Sequence, residues 1–431
     1  MSAAVQSGVR RTARGRGWAR TGLWLAVAAV FLLLPHLFAS GTGLTTMSLM
    51  AIMIIFALSY NMLLGQTGML SFGHAVYYGL GGFLVVHAMN AIIGAHLPVP
   101  LVLLPLVGGA AGLFFGIIFG SVSTRRGGTA FAMISLGLGE LVGASALILR
   151  DFFGGEDGIT TNRTKLLHVA GLNFGPQLQV YYLIAGWCLL CMMAMYALTR
   201  TPFGRICNAV RDNPERAAFI GYNTQSVRFI AFCLAGLFAG IAGGLTAINF
   251  EIMNAANVGA APSGIVLLMT YIGGVGNFAG PVIGAILITF LQVMLSDATE
   301  IWQLYLGLLF IVMVSFAPGG IAGLIAMHAP VWRARLLHRL APAYALALLL
   351  GLVTFAGAAL ALEMAYRLSA GSEGGTAFRF LHVPVEAASA APWSLAVLLA
   401  VPGFIGFRRV LPIVGNVWAT TLAEARQGRG R

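Results

Sequence analysis

The chain has 431 residues, 59% of them hydrophobic and only 9% charged, with a net charge of +12 and a mean hydropathy of +0.89. Soluble globular proteins carry about 25% charged residues, so a water-soluble fold is excluded. The positive balance does not describe a nucleic-acid surface either: Lys165 is the only lysine among 25 basic residues, and the arginines sit at the ends of apolar runs, where they act as topology signals facing the cytoplasm.

Several runs exceed the roughly 18–20 apolar residues that cross a bilayer as a helix. Residues 1–21 form a basic segment with Arg10, Arg11, Arg14, Arg16 and Arg20, followed by a first span at 23–39 that reads as a retained signal anchor. Further spans are predicted at 44–64, 70–90, 99–122, 128–149, 178–198, 226–248, 263–276, 279–296 and 303–317. Two more, at 341–362 and 393–412, form a C-terminal hairpin with Glu363, Glu373 and Glu386 in its outer connection. With the N-terminus inside, 20 basic residues fall on inner segments and 5 on outer ones, so both termini are expected in the cytoplasm. The expected fold is all-α: a polytopic transmembrane helical bundle of about ten core spans with broken or re-entrant helices, plus the two-helix hairpin. Residues 70–90 and 263–276 are the segments expected to be broken or re-entrant, being glycine-rich and short or polar at one end.

Glycines at spacing four, Gly112/Gly116/Gly120 and Gly236/Gly240/Gly244, predict flat helix faces where neighbouring backbones approach. Cys188-x-x-Cys191 has metal-like spacing, but inside an apolar helix the pair reads as two small packing residues. No metal site and no Walker lysine motif is present, so neither a bound cofactor nor ATP hydrolysis is expected on this chain. Gly273-Gly-Val-Gly-Asn-Phe-Ala-Gly280 lacks a preceding strand and reads as close packing or a helix break rather than a phosphate loop.

Two membrane stretches carry polar side chains. Asn61, Gln66, Ser71 and His74 lie close together, interleaved with Gly65, Gly68 and Gly73. They read either as a broken helix lining a solute path or as a polar turn at the inner face followed by a tightly packed helix. Glu140 reads as the only carboxylate deep in a span; it either binds a proton or takes a structural, water-facing role.

The segment 199–228 is the long polar stretch between apolar runs that also reads as helical. Pro202 and Phe203 enter it and Gly204 is expected to break it, with Asp212 and Asn213 standing just before Pro214 as an N-cap and N1 arrangement for a second short helix that ends at Gly221. Arg200, Arg205, Arg211, Arg216 and Arg228 make it strongly basic, the character of a loop held by a cytoplasmic partner.

Gln66-Thr-Gly-Met-Leu-Ser-Phe-Gly-His-Ala75, Thr201-Pro-Phe-Gly-Arg205 and Arg211-Asp-Asn-Pro-Glu-Arg-Ala-Ala218 with Gly221 resemble the inner-membrane permeases of branched-chain amino acid ABC importers. Leu234-Ala-Gly-Leu-Phe-Ala-Gly-Ile-Ala-Gly-Gly244, Gly273-Gly-Val-Gly and Phe316-Ala-Pro-Gly-Gly320 are similar too, in the family's order. The resemblance implies a permease domain over 22–325, paired with a second, similar permease and two ATPase subunits that use ATP, and fed by an external solute-binding protein. Arg205, Arg211, Glu215, Ala217, Ala218 and Gly221 would then couple the loop to an ATPase, while Asn61, Gln66, Ser71, His74 and Glu140 remain candidates for the solute path. The implied location is the bacterial inner membrane, and the implied solutes are branched-chain or related amino acids, or small amides. Residues 326–431 depart from the pattern. The competing readings are a proton-coupled secondary transporter or channel using Glu140, and a membrane scaffold with no solute path.

Overall fold

A computed structural model describes residues 21–37, 40–167, 173–369, 377–380 and 383–427; the basic segment 1–20 and Glu373 lie outside them. The chain divides into two units between Gly323 and Leu324.

The first unit is helical from its start. Its helices are α1 (Thr21–Leu37), α2 (Gly41–Thr67), α3 (Ala75–Gly94), α4 (Leu104–Ser123), α5 (Thr129–Ile148) and the single turn α6 (Arg150–Phe153). Then come α7 (Gln177–Arg200), α8 (Pro202–Asp212), α9 (Pro214–Phe219), α10 (Thr224–Phe250), α11 (Ala260–Gly273), α12 (Ala279–Ala298) and α13 (Trp302–Phe316), with α14 (Gly320–Arg333) running across the boundary. Among the described residues ten helices are long and apolar enough to cross a membrane, or eleven if α13 and α14 are one broken span. The first predicted span falls on α1, which over the described residues is a shorter apolar helix and is not one of these ten.

Helices α2 and α10 are the most enclosed, and both are 27 residues long. Their apolar residues run all the way round, which is the composition of a helix surrounded by other helices. Around α10 pack α2, α3 and α4; around α2 pack α7, α10, α11 and α12. The two glycine ladders read from the sequence meet each other. A Cβ on Gly240 would lie 2.1 Å from the Gly108 carbonyl oxygen, and one on Gly112 would lie 2.1 Å from that of Gly236. From the other side, a Cβ on Gly81 of α3 would lie 2.6 Å from the Gly240 Cα. Three backbones thus touch without intervening side chains, the close approach that small residues permit in membranes.

The two segments expected to be broken or re-entrant each contain one continuous helix, with irregular backbone at its ends. Residues 68–74 are non-helical, and α3 starts only at Ala75. The second, α11, is unbroken from Ala260 to Gly273; irregular backbone precedes it and a glycine turn at 274–278 joins it to α12. Gly204, expected to break a helix, lies inside α8. A Cβ there would sit 2.6 Å from the Leu198 carbonyl oxygen, so its absence lets α8 fold sharply back on α7.

Between α6 and α7 the connection is fastened to the end of α10 by a two-residue antiparallel pair, β1 (Ile159–Thr160) with β2 (Ile252–Met253). The centre of that fastening is Arg163, which is 8% exposed. Its Nε donates to Phe174 O (2.8 Å) and its Nη1 to Ile248 O (3.1 Å) and Asn249 O (2.9 Å), while its backbone N–H donates to Glu251 Oε1 (2.7 Å). These carbonyls include the last turn of α10, which has no intrahelical donors of its own. Arg163→Met is expected to lower stability by about 3–5 kcal/mol, the cost of stripping one side from a buried charged network. Arg163→Lys should not restore it, because one ammonium cannot replace a planar fork. Thermal unfolding of the purified protein in detergent measures both.

In the second unit, α15 (Leu337–Ser369) and α16 (Ala390–Gln427) pack along their lengths and are joined through a hairpin of β3 (Ala377–Phe380) and β4 (Val383–Glu386). Both helices are longer than the predicted spans. Glu363, placed in the outer connection by the sequence, lies within α15 and is buried, so Glu140 is not the only carboxylate inside an apolar helix. Arg339 pairs with Glu424, and His328 Nε2 meets Tyr344 Oη at 2.9 Å.

Candidate functional site: the arginine loop and the glycine junction

The loop between α7 and α10 is built by caps. Thr201 Oγ1 accepts the Gly204 N–H (3.3 Å) and Pro202 opens α8, where a missing N–H costs nothing. Asn213 Oδ1 accepts the Arg216 N–H (2.9 Å) and Pro214 opens α9. Gly221 stops α9 with φ +95°, a left-handed conformation that favours glycine. Its N–H bonds the Ala218 carbonyl (2.9 Å), and the Tyr222 N–H bonds that of Ala217 (3.1 Å).

The folded loop has an inner and an outer side. Cys207, Val210, Ala217, Val227 and Ala231 form its buried cluster, with Phe203 and Ile206 packed against it. Burial pushes the Cys207 thiol up to about 12, which keeps it protonated and unreactive. On the outer side Phe219 is 90% exposed and Ile220 66%, with Tyr222, Arg205, Glu215, Arg216 and Ala218 exposed around them. Of the six residues singled out for coupling, Ala217 is therefore a packing residue, Gly221 sets the backbone, and Arg205, Glu215 and Ala218 face outward. Phe219 and Ile220 were not singled out; the signal was an apolar pair next to glycine in an otherwise polar loop.

Arg211 points the other way. Its Nη1 donates to the Gly65 carbonyl of α2, and its Nε and Nη2 lie 3.0 and 2.9 Å from Asp212 Oδ1. A Cβ on Gly276, in the turn joining α11 to α12, would lie 3.3 Å from Arg211 Nη1. Asn61 closes the group: its Oδ1 accepts the Gly276 N–H (3.1 Å) and its Nδ2 donates to Asn277 O (3.4 Å). Its Oδ1 occupies the place of a Gly65 Cβ, 2.0 Å from where that carbon would be, so the bond to the turn requires a glycine there. The polar stretch, the basic loop and the glycine-rich segment, separate in the sequence, converge here.

Two of the remaining polar residues of the stretch, His74 and Ser71, are enclosed. The His74 ring stacks on Phe56 (centroids 5.5 Å apart) and meets Tyr60 edge-on, with Nε2 2.9 Å from Ser59 Oγ. Ser71 is buried and its carbonyl accepts from Tyr60 Oη (2.8 Å). The backbone N–H groups of Phe72 and Ala75 donate to Ser135 Oγ and Ser263 Oγ, both at 3.0 Å. Non-helical backbone is tolerated at membrane depth when protein groups satisfy it in this way. Gln66 is half-buried, and Glu140 is exposed on α5, next to Gly139, whose backbone lies against Gly73 of the stretch. Of the five path candidates, Asn61 joins the arginine junction, Ser71 and His74 are buried, Gln66 is half-buried and Glu140 is exposed.

A bundle of apolar helices long enough to cross a membrane, with a capped basic loop between two of them, defines a multi-pass membrane protein. The chain belongs to the family described as branched-chain amino acid transport system permease components, which matches residues 43–317. It is similar to the high-affinity branched-chain amino acid transport system permease protein LivM of Escherichia coli (strain K12), 26% identical over 308 residues that cover 67% of this chain and 71% of LivM. It is also similar to the high-affinity branched-chain amino acid transport system permease protein BraD of Pseudomonas aeruginosa, at 23% over 299 residues (65% of this chain, 94% of BraD). The fructose import permease protein FrcC of Rhizobium meliloti matches at 27% over 222 residues, covering 49% of this chain and 61% of FrcC. No solved structure matches it. The protein is thus an inner-membrane transport subunit of an ABC system rather than a catalytic one, and α15 and α16 lie beyond the family match.

Proposed function

We propose that the chain is the membrane subunit of an ATP-driven importer that moves branched-chain or related amino acids, or small amides, into the cytoplasm. It works with a second, similar permease, two ATPase subunits that bind and use the ATP, and an external solute-binding protein. The observation that carries this reading is the apolar tip Phe219–Ile220, held out from the bundle by two caps and a left-handed glycine and ringed by charge. Exposed aromatic residues on a rigid helical loop are what a partner's groove takes up. The inner location of the arginine loop and of both termini is supported by the arginine distribution. LivM and BraD, whose matches extend over more of the chain than that of FrcC, favour amino acids over sugars.

Co-expression with the ATPase subunits, followed by reconstitution with the solute-binding protein, tests it. Labelled leucine should accumulate in the proteoliposomes only with ATP on the loop side. Uptake without any ATPase subunit would reject the reading. Glu140 supplies the contrast with proton coupling. It is exposed midway along α5, where a carboxylate against lipid is expensive, so it faces the second permease or the solute path. Uptake by Glu140→Gln is expected to remain ATP-dependent with an unchanged pH profile. A proton-driven uptake that disappears in this variant would instead establish the secondary transporter.

A further inference from the structure

The junction of Arg211 with Gly65, Asn61 and Gly276 has a role that the outward face of the loop does not explain. Gly68 ends α2 in a left-handed conformation (φ +70°); its N–H bonds the Leu64 carbonyl at 3.2 Å and the Met69 N–H bonds that of Leu63 at 3.1 Å. The next carbonyl, Gly65 O, is one of those that no residue of the helix itself can reach. Its donor comes from 146 residues away, as the Arg211 guanidinium. A cation here also meets the negative end of the α2 dipole. The same guanidinium lies against the Gly276 turn, and Asn61 ties that turn back to α2. Asp212 holds the fork from its own side, so the guanidinium is oriented by α8. The bonded path therefore runs from α8 to the end of α2, and from there to the joint of α11 and α12.

We propose that Arg211 is a positioning residue: it carries displacement of the arginine loop to the loop-side ends of α2, α11 and α12, and so sets how tightly the membrane part follows the ATPase. This rests on the importer reading, with the ATPase seated on Phe219 and Ile220. Arg211 takes part in neither ATP chemistry nor solute contact. Its removal should separate the two activities rather than abolish both.

The test uses the complete reconstituted transporter with Arg211→Gln, Arg211→Lys and the nearly isosteric Asn61→Leu. In Arg211→Gln, uptake should fall at least tenfold while the ATPase subunits still co-purify and still hydrolyse ATP. The ATP consumed per solute transported should rise by a similar factor. Arg211→Lys keeps a charged donor but not the fork, and should fall between the glutamine variant and the parent. Asn61→Leu leaves the arginine in place but frees the turn, and should also raise the ATP-to-solute ratio. Unchanged coupling in Arg211→Gln would overturn the inference. So would loss of the ATPase subunits from both arginine variants, since Arg211 would then belong to the docking surface or to the fold. Failure of the unmodified complex to show ATP-dependent uptake would reject the importer reading instead.

Discussion

Gly240→Leu is expected to leave no folded, monodisperse permease after extraction into detergent. The contacts are backbone on both sides. On one side a Cβ would lie 2.1 Å from the Gly108 carbonyl oxygen and 2.9 Å from the Gly112 Cα, and on the other the Gly81 position of α3 closes on the same residue. Overpacking a soluble core costs typically about 1–3 kcal/mol because side chains move aside. Here there is no side chain to move, so relief requires separating α10 from α4 along the seam. Gly240→Ala alone should therefore cost about 3 kcal/mol or more, at or above the top of the range usual for single substitutions. The control is Gly186 on α7, which has nothing within 4 Å of its Cβ position. Gly186→Ala should be neutral or stabilise by up to about 1 kcal/mol, because alanine is the better helix former. Size-exclusion profiles and thermal melts of the three variants separate a packing seam from a general intolerance of larger residues.

Phe219→Glu is expected to abolish co-purification of the ATPase subunits and to reduce uptake to background while leaving the permease folded. The ring is 90% exposed, so the fold loses almost nothing when it is replaced. At an interface the same ring would act as an anchor, and losing such an anchor costs about 2–4 kcal/mol. At about 1.4 kcal/mol per tenfold, that weakens binding by roughly 30- to 1,000-fold, and the introduced carboxylate adds desolvation cost. Ala217→Leu should reach the same endpoint by another route. It overfills the cluster of Cys207, Val210 and Val227 and tilts α9 off its seat. Full ATPase binding by Phe219→Glu would move the docking surface elsewhere on the loop.

What the sequence made legible follows from which forces act locally. Helix positions were readable because apolar length is a one-dimensional property. The caps at Asn213-Pro214 and Gly221 were readable because capping acts within four residues. The glycine ladders announced close approach but not their partners; that Gly112 faces Gly236 is a tertiary fact. Arg163 and Arg211 illustrate the limit most clearly. Both count as loop charges in a topology argument, yet one is buried against the end of α10 and the other caps α2. Nothing in their neighbours along the chain shows which distant carbonyls they reach. His74 was ambiguous in the sequence, between a solute path and a polar turn with tight packing, and only the tertiary structure shows that Phe56, Tyr60 and Ser59 surround it. Glu363 was displaced to a loop because the helix that buries it continues beyond its hydropathy.

The seam of α3, α4 and α10 has a mechanical consequence. Packed side chains can yield by changing rotamers, which gives most helix interfaces some slack. Where carbonyl meets Cα directly there is no such slack, and the three helices behave as a single stiff plate. Whatever strain a transport cycle imposes must then collect at joints where the backbone is already irregular: the buried strip before α3 and the glycine hinge between α11 and α12. In this permease stiffness and compliance are divided by backbone chemistry, with glycine serving both, as a rivet inside the helices and as a hinge between them.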